Sequence, residues 1–156
     1  MAEHEEIRGC AIRKDLYYSV DDHTWVSLND DGTATIGMTD VAQNMAGPIL
    51  HARIKKVGAQ RAKGKPIGTV ESAKWVGPVK SPLSGEIVEQ NEAVSADPQL
   101  INRSPYRAGW MVKMKPTNLD DEIKELLTGD AAVEAYREKI EKDDIKGCTH
   151  VEGFEI

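Results

Sequence analysis

The feature that most constrains the fold is a series of short β-type runs, each ended by glycine, proline, asparagine or aspartate. Residues 24–28 alternate between polar and apolar, Asn-Asp-Asp-Gly at 29–32 is a strong hairpin-turn sequence, and residues 33–38 provide the returning strand. Similar runs are found at residues 16–18, 48–54, 66–73, 79–81, 85–90 and 111–115. Many short strands at this spacing predict a small β-barrel or sandwich.

Helical patterns interrupt the strands once and follow them at the end. Residues 40–46 predict a short helix, with Asp40 and Gln43 as a capping-box-like start and Gly47 as a stop. After residue 117 the apolar spacing changes to a helical period, which predicts two helices, the second capped by Asp130. Their apolar faces would be formed by Leu119, Ile123, Leu126 and Leu127, and then by Val133, Tyr136 and Ile140.

Charge is distributed unevenly along the chain. Residues 118–156 contain 12 acidic and 5 basic residues, whereas residues 1–117 contain 14 and 15. This asymmetry suggests a separate C-terminal unit. We therefore expect a flexible N-terminal arm (1–14), a β domain (15–116), C-terminal helices (117–146) and a tail without clear pattern (147–156).

Several classes of protein are disfavoured by the sequence. No apolar stretch is long enough to cross a bilayer, so no membrane partner is expected, and the acidic start is unlike a signal peptide. Two cysteines do not make a disulfide scaffold, and together these features favour a reducing cytoplasm. No phosphate-binding loop, zinc-protease motif or convincing catalytic triad is present.

One lysine stands in an unusual setting. The segment VESAKWVGPVKSPLSG, residues 70–85, places Lys74 after a β-type run and before a turn expected near residues 76–78. Such a stiff arch would offer one ε-amine to a modifying enzyme, and acylation would remove its charge and lengthen the arm. The simpler interpretation is a solvated lysine in a turn. On the first interpretation the chain is a carrier that moves a reactive group between the active sites of other proteins.

The residues around Lys74 resemble the lipoyl-attachment hairpin of glycine cleavage H-proteins. The likeness begins with Val57-Gly58 and Gly64, continues through residues 70–74 and 81–86, and extends in order from about residue 15 to residue 127. It includes Asp-His-Thr-Trp-Val at 22–26, the segment at 31–43, Val-Glu-Gln-Asn-Glu-Ala at 88–93 and residues 102–111. Biotin carriers share this fold, but they usually flank their lysine with methionine.

The resemblance implies a mainly β, barrel-sandwich hybrid of the lipoyl/biotinyl-carrier type, with short flanking helices and a C-terminal helical extension. It also implies a non-catalytic carrier with lipoate amide-linked to Lys74, whose dithiolane cycles between disulfide and dithiol. Glu71, Ser72 and the Gly85 turn would present the lysine to a lipoate-attaching enzyme. His23 and Trp75 would line the resting place of the arm, and a structural role is the equal alternative for His23.

The chain departs from the glycine cleavage pattern at three places, and one of them is its continuation past the usual end with a second acidic helix and the tail at Cys148. Trp75-Val76-Gly77-Pro78 follows the lysine where that family has small residues and aspartate, and residues 51–65 contain six basic residues and no acid. These features resemble the lipoate-binding proteins of the heterodisulfide-reductase-like sulfur-oxidation system. That resemblance implies a heterodisulfide-reductase-like complex and dihydrolipoamide dehydrogenase as partners, and a cargo of sulfur intermediates.

Other functions stay open at this level. The first alternative is an H-protein that carries an aminomethyl group among the glycine cleavage enzymes, and a remote one is an unmodified adaptor whose acidic helices bind a partner. Nucleic acid is not an expected partner, because no aromatic residues interleave with the basic segment. The basic segment is also consistent with an ordinary solvated face.

The two cysteines lie in the terminal extensions. Cys10 and Cys148 are most simply free thiols, and the sharper hypothesis gives one of them a redox role in resolving a mixed disulfide or persulfide on the arm. Together with His4 and His150 they have the residue types of a zinc site, but the spacing is not diagnostic and no metal is expected.

Overall fold

The computed structural model describes residues 3–156, so Met1 and Ala2 at the start of the expected arm lie outside the described residues. The strands are β1 (His4–Ile7), β2 (Cys10–Arg13), β3 (Tyr17–Ser19), β4 (Thr24–Leu28), β5 (Ala34–Met38), β6 (Ile49–Ile54), β7 (Gln60–Arg61), β8 (Pro66–Ser72), β9 (Val76–Lys80), β10 (Gly85–Gln90), β11 (Val112–Pro116) and β12 (Leu127–Thr128). The helices are α1 (Asp40–Ala46), α2 (Glu92–Ala96), α3 (Leu100–Arg103), α4 (Leu119–Glu122) and α5 (Gly129–Lys142), and Ile123–Glu125 forms a 3₁₀ turn.

Two antiparallel sheets form the body of the molecule. The larger has the order β12-β3-β4-β5-β11-β10-β7, and the smaller has the order β6-β8-β9. One apolar core takes buried side chains from both sheets, among them Val26 and Ile36 from the larger and Ile49 and Val70 from the smaller. This arrangement confirms the predicted mainly β sandwich-type fold with flanking helices.

Helix α1 is buried between two apolar cores. Ala42 and Ala46 belong to the core between the sheets, whereas Val41 belongs to a second core. Its bounds match the prediction, but the N-cap is Thr39, whose hydroxyl accepts the Ala42 N–H, and not Asp40. Asp40 is instead fully buried, where its carboxylate accepts hydrogen bonds from neighbours brought in by the fold.

The expectation of a flexible N-terminal arm is wrong for residues 4–13. Residues 4–13 form the hairpin β1-β2, in which Cys10, Ala11 and Ile12 are buried. They pack in the second core with the apolar face of α5, made by Val133, Tyr136 and Ile140 as predicted. The acidic C-terminal helix is therefore not a separate unit, because its apolar stripe completes the core that the N-terminal hairpin begins.

The first predicted C-terminal helix is shorter than the periodicity suggests. Only α4 and the 3₁₀ turn form, and Leu127 instead pairs with Tyr18 in the edge strand β12. Glu122 provides a physical reason, because its buried carboxylate accepts hydrogen bonds from the backbone and hydroxyl of Ser84, each at 2.7 Å. These contacts hold α4 against the loop after β9 and leave Leu127 partly exposed.

The tail is also fixed to the body. Cys148 forms a disulfide with Cys10, which corrects the expectation of two free thiols. His150 contacts the Asp40 carboxylate at 2.8 Å, and His4 contacts Glu6, so within the described part of the chain the two histidines and the bonded cysteines do not form a metal-binding group. Among residues 3–156, no helix is both long and apolar enough to span a bilayer.

Candidate functional site

Lys74 lies in the tight turn that joins β8 to β9. The N–H of Ser72 donates to the carbonyl of Trp75 at 2.7 Å, and Glu71 is paired with Val76, so the turn occupies residues 73–75. The predicted turn at residues 76–78 is thus displaced toward the lysine. Pro78 is accommodated within β9 because this is an edge strand, where a missing N–H removes no hydrogen bond from the interior of the sheet.

Ser72 attaches this turn to the end of helix α1. Its buried hydroxyl donates to the carbonyl oxygen of Ala46 at 2.5 Å, and the backbone N–H of Lys74 lies 3.4 Å from the same hydroxyl. The next residue, Gly47, is fixed in turn by Asn102, whose side-chain amide donates to the Gly47 carbonyl and whose oxygen accepts the N–H of Ile49. The lysine therefore stands on a rigid base.

The Lys74 side chain itself remains available. The residue is exposed, and no carboxylate within residues 3–156 forms an ion pair with its ammonium group. Its stem lies over Gly47, whose φ of +80° places the backbone in the left-handed region. An enzyme can thus approach the ε-amine without displacing another part of the chain.

A mainly apolar cleft of about 200 Å³ opens beside the turn. Both His23 and Trp75, which the sequence predicts as neighbours of the arm, lie on its wall. The complete lining is Asp22, His23, Met38, Ala42, Met45, Ala46, Trp75, Pro78 and Val79. Arm contact by these residues stays a prediction, but the cleft brings them together within reach of Lys74.

His23 presents a neutral wall to the cleft. Burial, aided by the positive charge of Lys139, lowers the pKa of the imidazole to about 4 from its usual 6.5. Its Nδ1 lies 3.3 Å from the hydroxyl of Tyr136, and it accepts a hydrogen bond from that hydroxyl in the neutral tautomer that carries its proton on Nε2. Near neutral pH the residue therefore adds no charge to this apolar site.

Trp75 covers the cleft because a glycine stands beside it. A Cβ on residue 77 would overlap the indole ring, so the ring can lie flat against the strand only because residue 77 is a glycine. The indole is nevertheless 42% exposed. One side of the ring is thus available to an apolar ligand.

The remaining predicted site residues do not line the cleft. Glu71 is exposed on β8, opposite His51 and next to the turn. Gly85 belongs to the larger sheet, between β11 and β7, where a Cβ would collide with the carbonyl of Lys115. Gly85 therefore permits close packing within the larger sheet, and it is not part of the turn that carries Lys74. Cys10 is fully buried in the disulfide with Cys148, on the N-terminal side of α1.

Sequence reasoning missed the residues that α1 contributes. Ala46 at the end of α1 and Gly47 directly after it contact the lysine turn, and Met45 of α1 lines the cleft together with Met38 from the end of β5. Gly47 is predicted as the stop of the helix, but a glycine at that point can also permit the close approach of a side chain. Nothing in the local sequence indicates that this side chain is Lys74.

Comparison with known proteins agrees with this geometry. Residues 16–140 match the family described as "Glycine cleavage H-protein". "Glycine cleavage system H protein 2" of Aquifex aeolicus is 48% identical over 146 residues, which cover 93% of this chain and 91% of that protein. "Probable glycine cleavage system H protein 2" of Sulfolobus acidocaldarius is 43% identical over 138 residues, covering 87% and 92%.

A solved structure has the same fold. The crystal structure of a glycine cleavage system H protein from Mycobacterium marinum superposes with a TM-score of 0.71 at 33% identity, covering 85% of this chain and 99% of that one. The matched segment contains the lysine turn, the cleft and both sheets. By sequence and by fold, the chain belongs to the glycine cleavage H-protein family.

Proposed function

We propose that the chain is a non-catalytic carrier with a lipoyl group amide-linked to Lys74. The observation that carries this proposal is the exposed amine on a rigid turn beside an apolar cleft, with no ion-pair partner among the described residues. The relatives support it, because members of the H-protein family are lipoate carriers. An attached dithiolane would supply thiol–disulfide chemistry.

The residues present fit such a group. Ser72 and Ala46 fix the turn, so attachment would lengthen only the lysine side chain and leave the scaffold unchanged. The cleft provides an apolar wall with a neutral His23 and the flat ring of Trp75, which exclude water from a bound apolar ring. Release from the cleft would expose the arm to the active site of a partner.

The carrier role requires no acid, base or nucleophile from this chain. Its contribution is the tether, which raises the concentration of the reactive group at each docked enzyme. We therefore propose a lipoate-attaching enzyme, dihydrolipoamide dehydrogenase and the enzymes of one lipoyl-dependent system as partners.

The names of the relatives support glycine cleavage as that system, with an aminomethyl group as the cargo. This is the alternative, and not the leading interpretation, of the sequence analysis. Sulfur oxidation with a heterodisulfide-reductase-like complex remains a second candidate for two reasons. Trp75 makes the cleft wall large and apolar, and the segment before the lysine hairpin is basic, whereas the usual H-protein pattern is small and acidic at these places.

Two experiments test the proposal in sequence. Intact mass after co-expression with lipoate-attaching enzymes should show an increase of one lipoyl group, which Lys74→Arg abolishes and Lys80→Arg does not. Absence of the increase in the wild type would favour the unmodified adaptor. The lipoylated protein is then offered to glycine decarboxylase and aminomethyltransferase. Glycine turnover supports the first system, and its absence in a system that works with a known H-protein supports the second.

A further inference from the structure

The outer face of the β6-β8-β9 sheet presents a group of exposed cations. Residues on this side of the strands are exposed, whereas the alternating residues Ile67, Val70 and Val79 are buried in the core. We define the basic sheet face as the exposed cations of these strands and the adjoining loops. They are Arg53, Lys55, Lys56, Lys65 and Lys80.

The five cations form no ion pairs with the residues that the structure describes. Lys63, two residues before Lys65, contacts Glu125 instead, and Lys14 and Lys113 elsewhere on the surface each contact at least one carboxylate. Glu71 is the only acidic residue of the three strands, and it lies at the Lys74 end. The basic sheet face therefore keeps its positive potential for an external partner.

Exposed apolar side chains lie between the cations and the lysine turn. Leu50 and Val76 are 48% and 63% exposed, and both lie at the Lys74 end of the sheet. An apolar centre with a charged rim is the usual anatomy of a specific protein interface. Because the apolar residues and the cations lie at different ends of the sheet, a partner would bind this face in one defined orientation.

The dimensions suit a single partner. Lys80 follows Lys74 by six residues, which corresponds to about 20 Å of extended strand. A standard interface buries about 800 Å² on each partner, a patch wide enough to contain both ends of this face. A protein that covers the basic sheet face consequently brings its surface to the lysine turn.

We propose that the basic sheet face is the docking surface for the enzyme that acylates Lys74, and that this enzyme presents an acidic surface beside its catalytic entrance. The inference rests on the proposed function, because it requires that Lys74 be modified. Enzymes that later use the long arm can reach it from a distance. The acylating enzyme must instead bring its active site to the unextended amine and reject Lys80 and Lys55 on the same face, which requires a fixed registration.

The test compares two charge-reversed proteins of equal net charge. The first carries Arg53→Glu, Lys55→Glu and Lys80→Glu. The matched control carries Lys124→Glu, Lys142→Glu and Lys146→Glu, three exposed cations near the C-terminus that also lack carboxylate partners among the described residues. Lipoylation of each full chain by the lipoate-attaching enzyme from the same organism is followed by intact mass, with lipoate and ATP supplied, and circular dichroism checks that both variants are folded.

The basic-face variant should lose at least about tenfold in kcat/KM, mainly through a higher KM, while the control stays close to the wild type. Added salt should slow the wild type and leave the variant nearly unchanged. Equal rates for wild type and basic-face variant, or an equal loss in both variants, would overturn the docking inference while Lys74 is still modified. A wild type that is never modified would instead refute the proposed function.

Discussion

Gly47 lies directly beneath the side chain of Lys74: a Cβ at Gly47 would come within 3.1 Å of Cε and 3.8 Å of Nζ. The contact joins the end of α1 to the tip of the β8-β9 hairpin, and β6, β7 and β8 lie between these two segments in the sequence. The exposed amine is therefore positioned by a glycine outside its own hairpin. A substitution at Gly47 therefore tests how the amine is positioned, provided that a control variant matches its effect on stability.

Gly47→Ala should both destabilise the protein and slow lipoylation. The φ of +80° strains any residue with a Cβ, which should cost about 1–2 kcal/mol in the free energy of unfolding, and the new methyl group crowds the lysine stem. Gly58→Ala is the matched control, since Gly58 has a φ of +93° and open space around it. Denaturant unfolding should show similar losses for both variants, and only Gly47→Ala should slow attachment. Equal attachment rates would contradict the positioning role.

Much of the site was predictable because its residues are close in sequence. The Lys74 hairpin, the α1 helix ending before Gly47 and the strands 24–28 and 85–90 follow from local alternation, caps and turn residues. The displaced turn at residues 73–75 was not predictable from Gly77-Pro78 alone. Proline reads as a turn residue unless the strand is known to lie at a sheet edge, and edge position is a property of the assembled fold.

The terminal segments were not predictable for a different reason. The β1-β2 hairpin buries its side chains against α5, more than 110 residues away, so neither segment shows by itself what covers its apolar side. The same holds for the disulfide, since two cysteines separated by 138 positions give no indication of proximity in a single sequence. Likewise, the cleft unites His23 with Trp75 through contacts that only the fold creates.

His23 should make stability depend on pH between about 4 and 6.5. Its folded pKa of about 4 lies below the usual 6.5, so in this range the unfolded chain binds a proton that the native imidazole does not. Stability should therefore fall as pH decreases through this window, by about 2–3 kcal/mol at most because the ring is partly exposed. The full contribution is present above pH 6.5.

The variant His23→Asn isolates this effect. Asparagine tolerates the positive φ of 55° at this position and does not titrate. Chemical unfolding at pH 7 and at pH 4.5 should show a smaller loss for the variant than for the wild type, while the carboxylates titrate equally in both. The same pH dependence in the two proteins would contradict the assignment to His23.

Reduction of the Cys10–Cys148 disulfide should lower the free energy of unfolding by about 3–5 kcal/mol. The bond closes a loop of nearly the whole chain, which restricts the unfolded ensemble strongly. Thermal unfolding with and without a dithiol should show the difference in the wild type, and the double variant Cys10→Ser with Cys148→Ser should not respond. A wild type that is insensitive to reductant would show that the bond is absent or without effect.

The same double variant examines the predicted redox role of the cysteines. Cys10 is fully buried, so exchange with a dithiol on the Lys74 arm would require the tail to open. The lipoylated variant should keep its turnover with partner enzymes if the disulfide is structural alone. A loss of turnover in the variant, measured below its unfolding temperature, would instead support participation of one of these sulfurs in the reaction.

Trp75→Ala should release the lipoyl arm from the cleft while leaving the scaffold stable. The ring is 42% exposed, so its removal should cost less than about 1 kcal/mol in unfolding free energy. If the arm loses a similar contact energy, the dithiolane should leave the cleft more often. An added phosphine should then reduce it about three- to tenfold faster, since 1.4 kcal/mol corresponds to a factor of ten. Trp110→Ala, whose ring contacts Lys113 away from the cleft, is the matched control and should leave the rate unchanged. Trp75→Phe should retain most of the protection, because an aromatic face remains. Equal reduction rates in the wild type and Trp75→Ala would show that the arm does not rest against this wall.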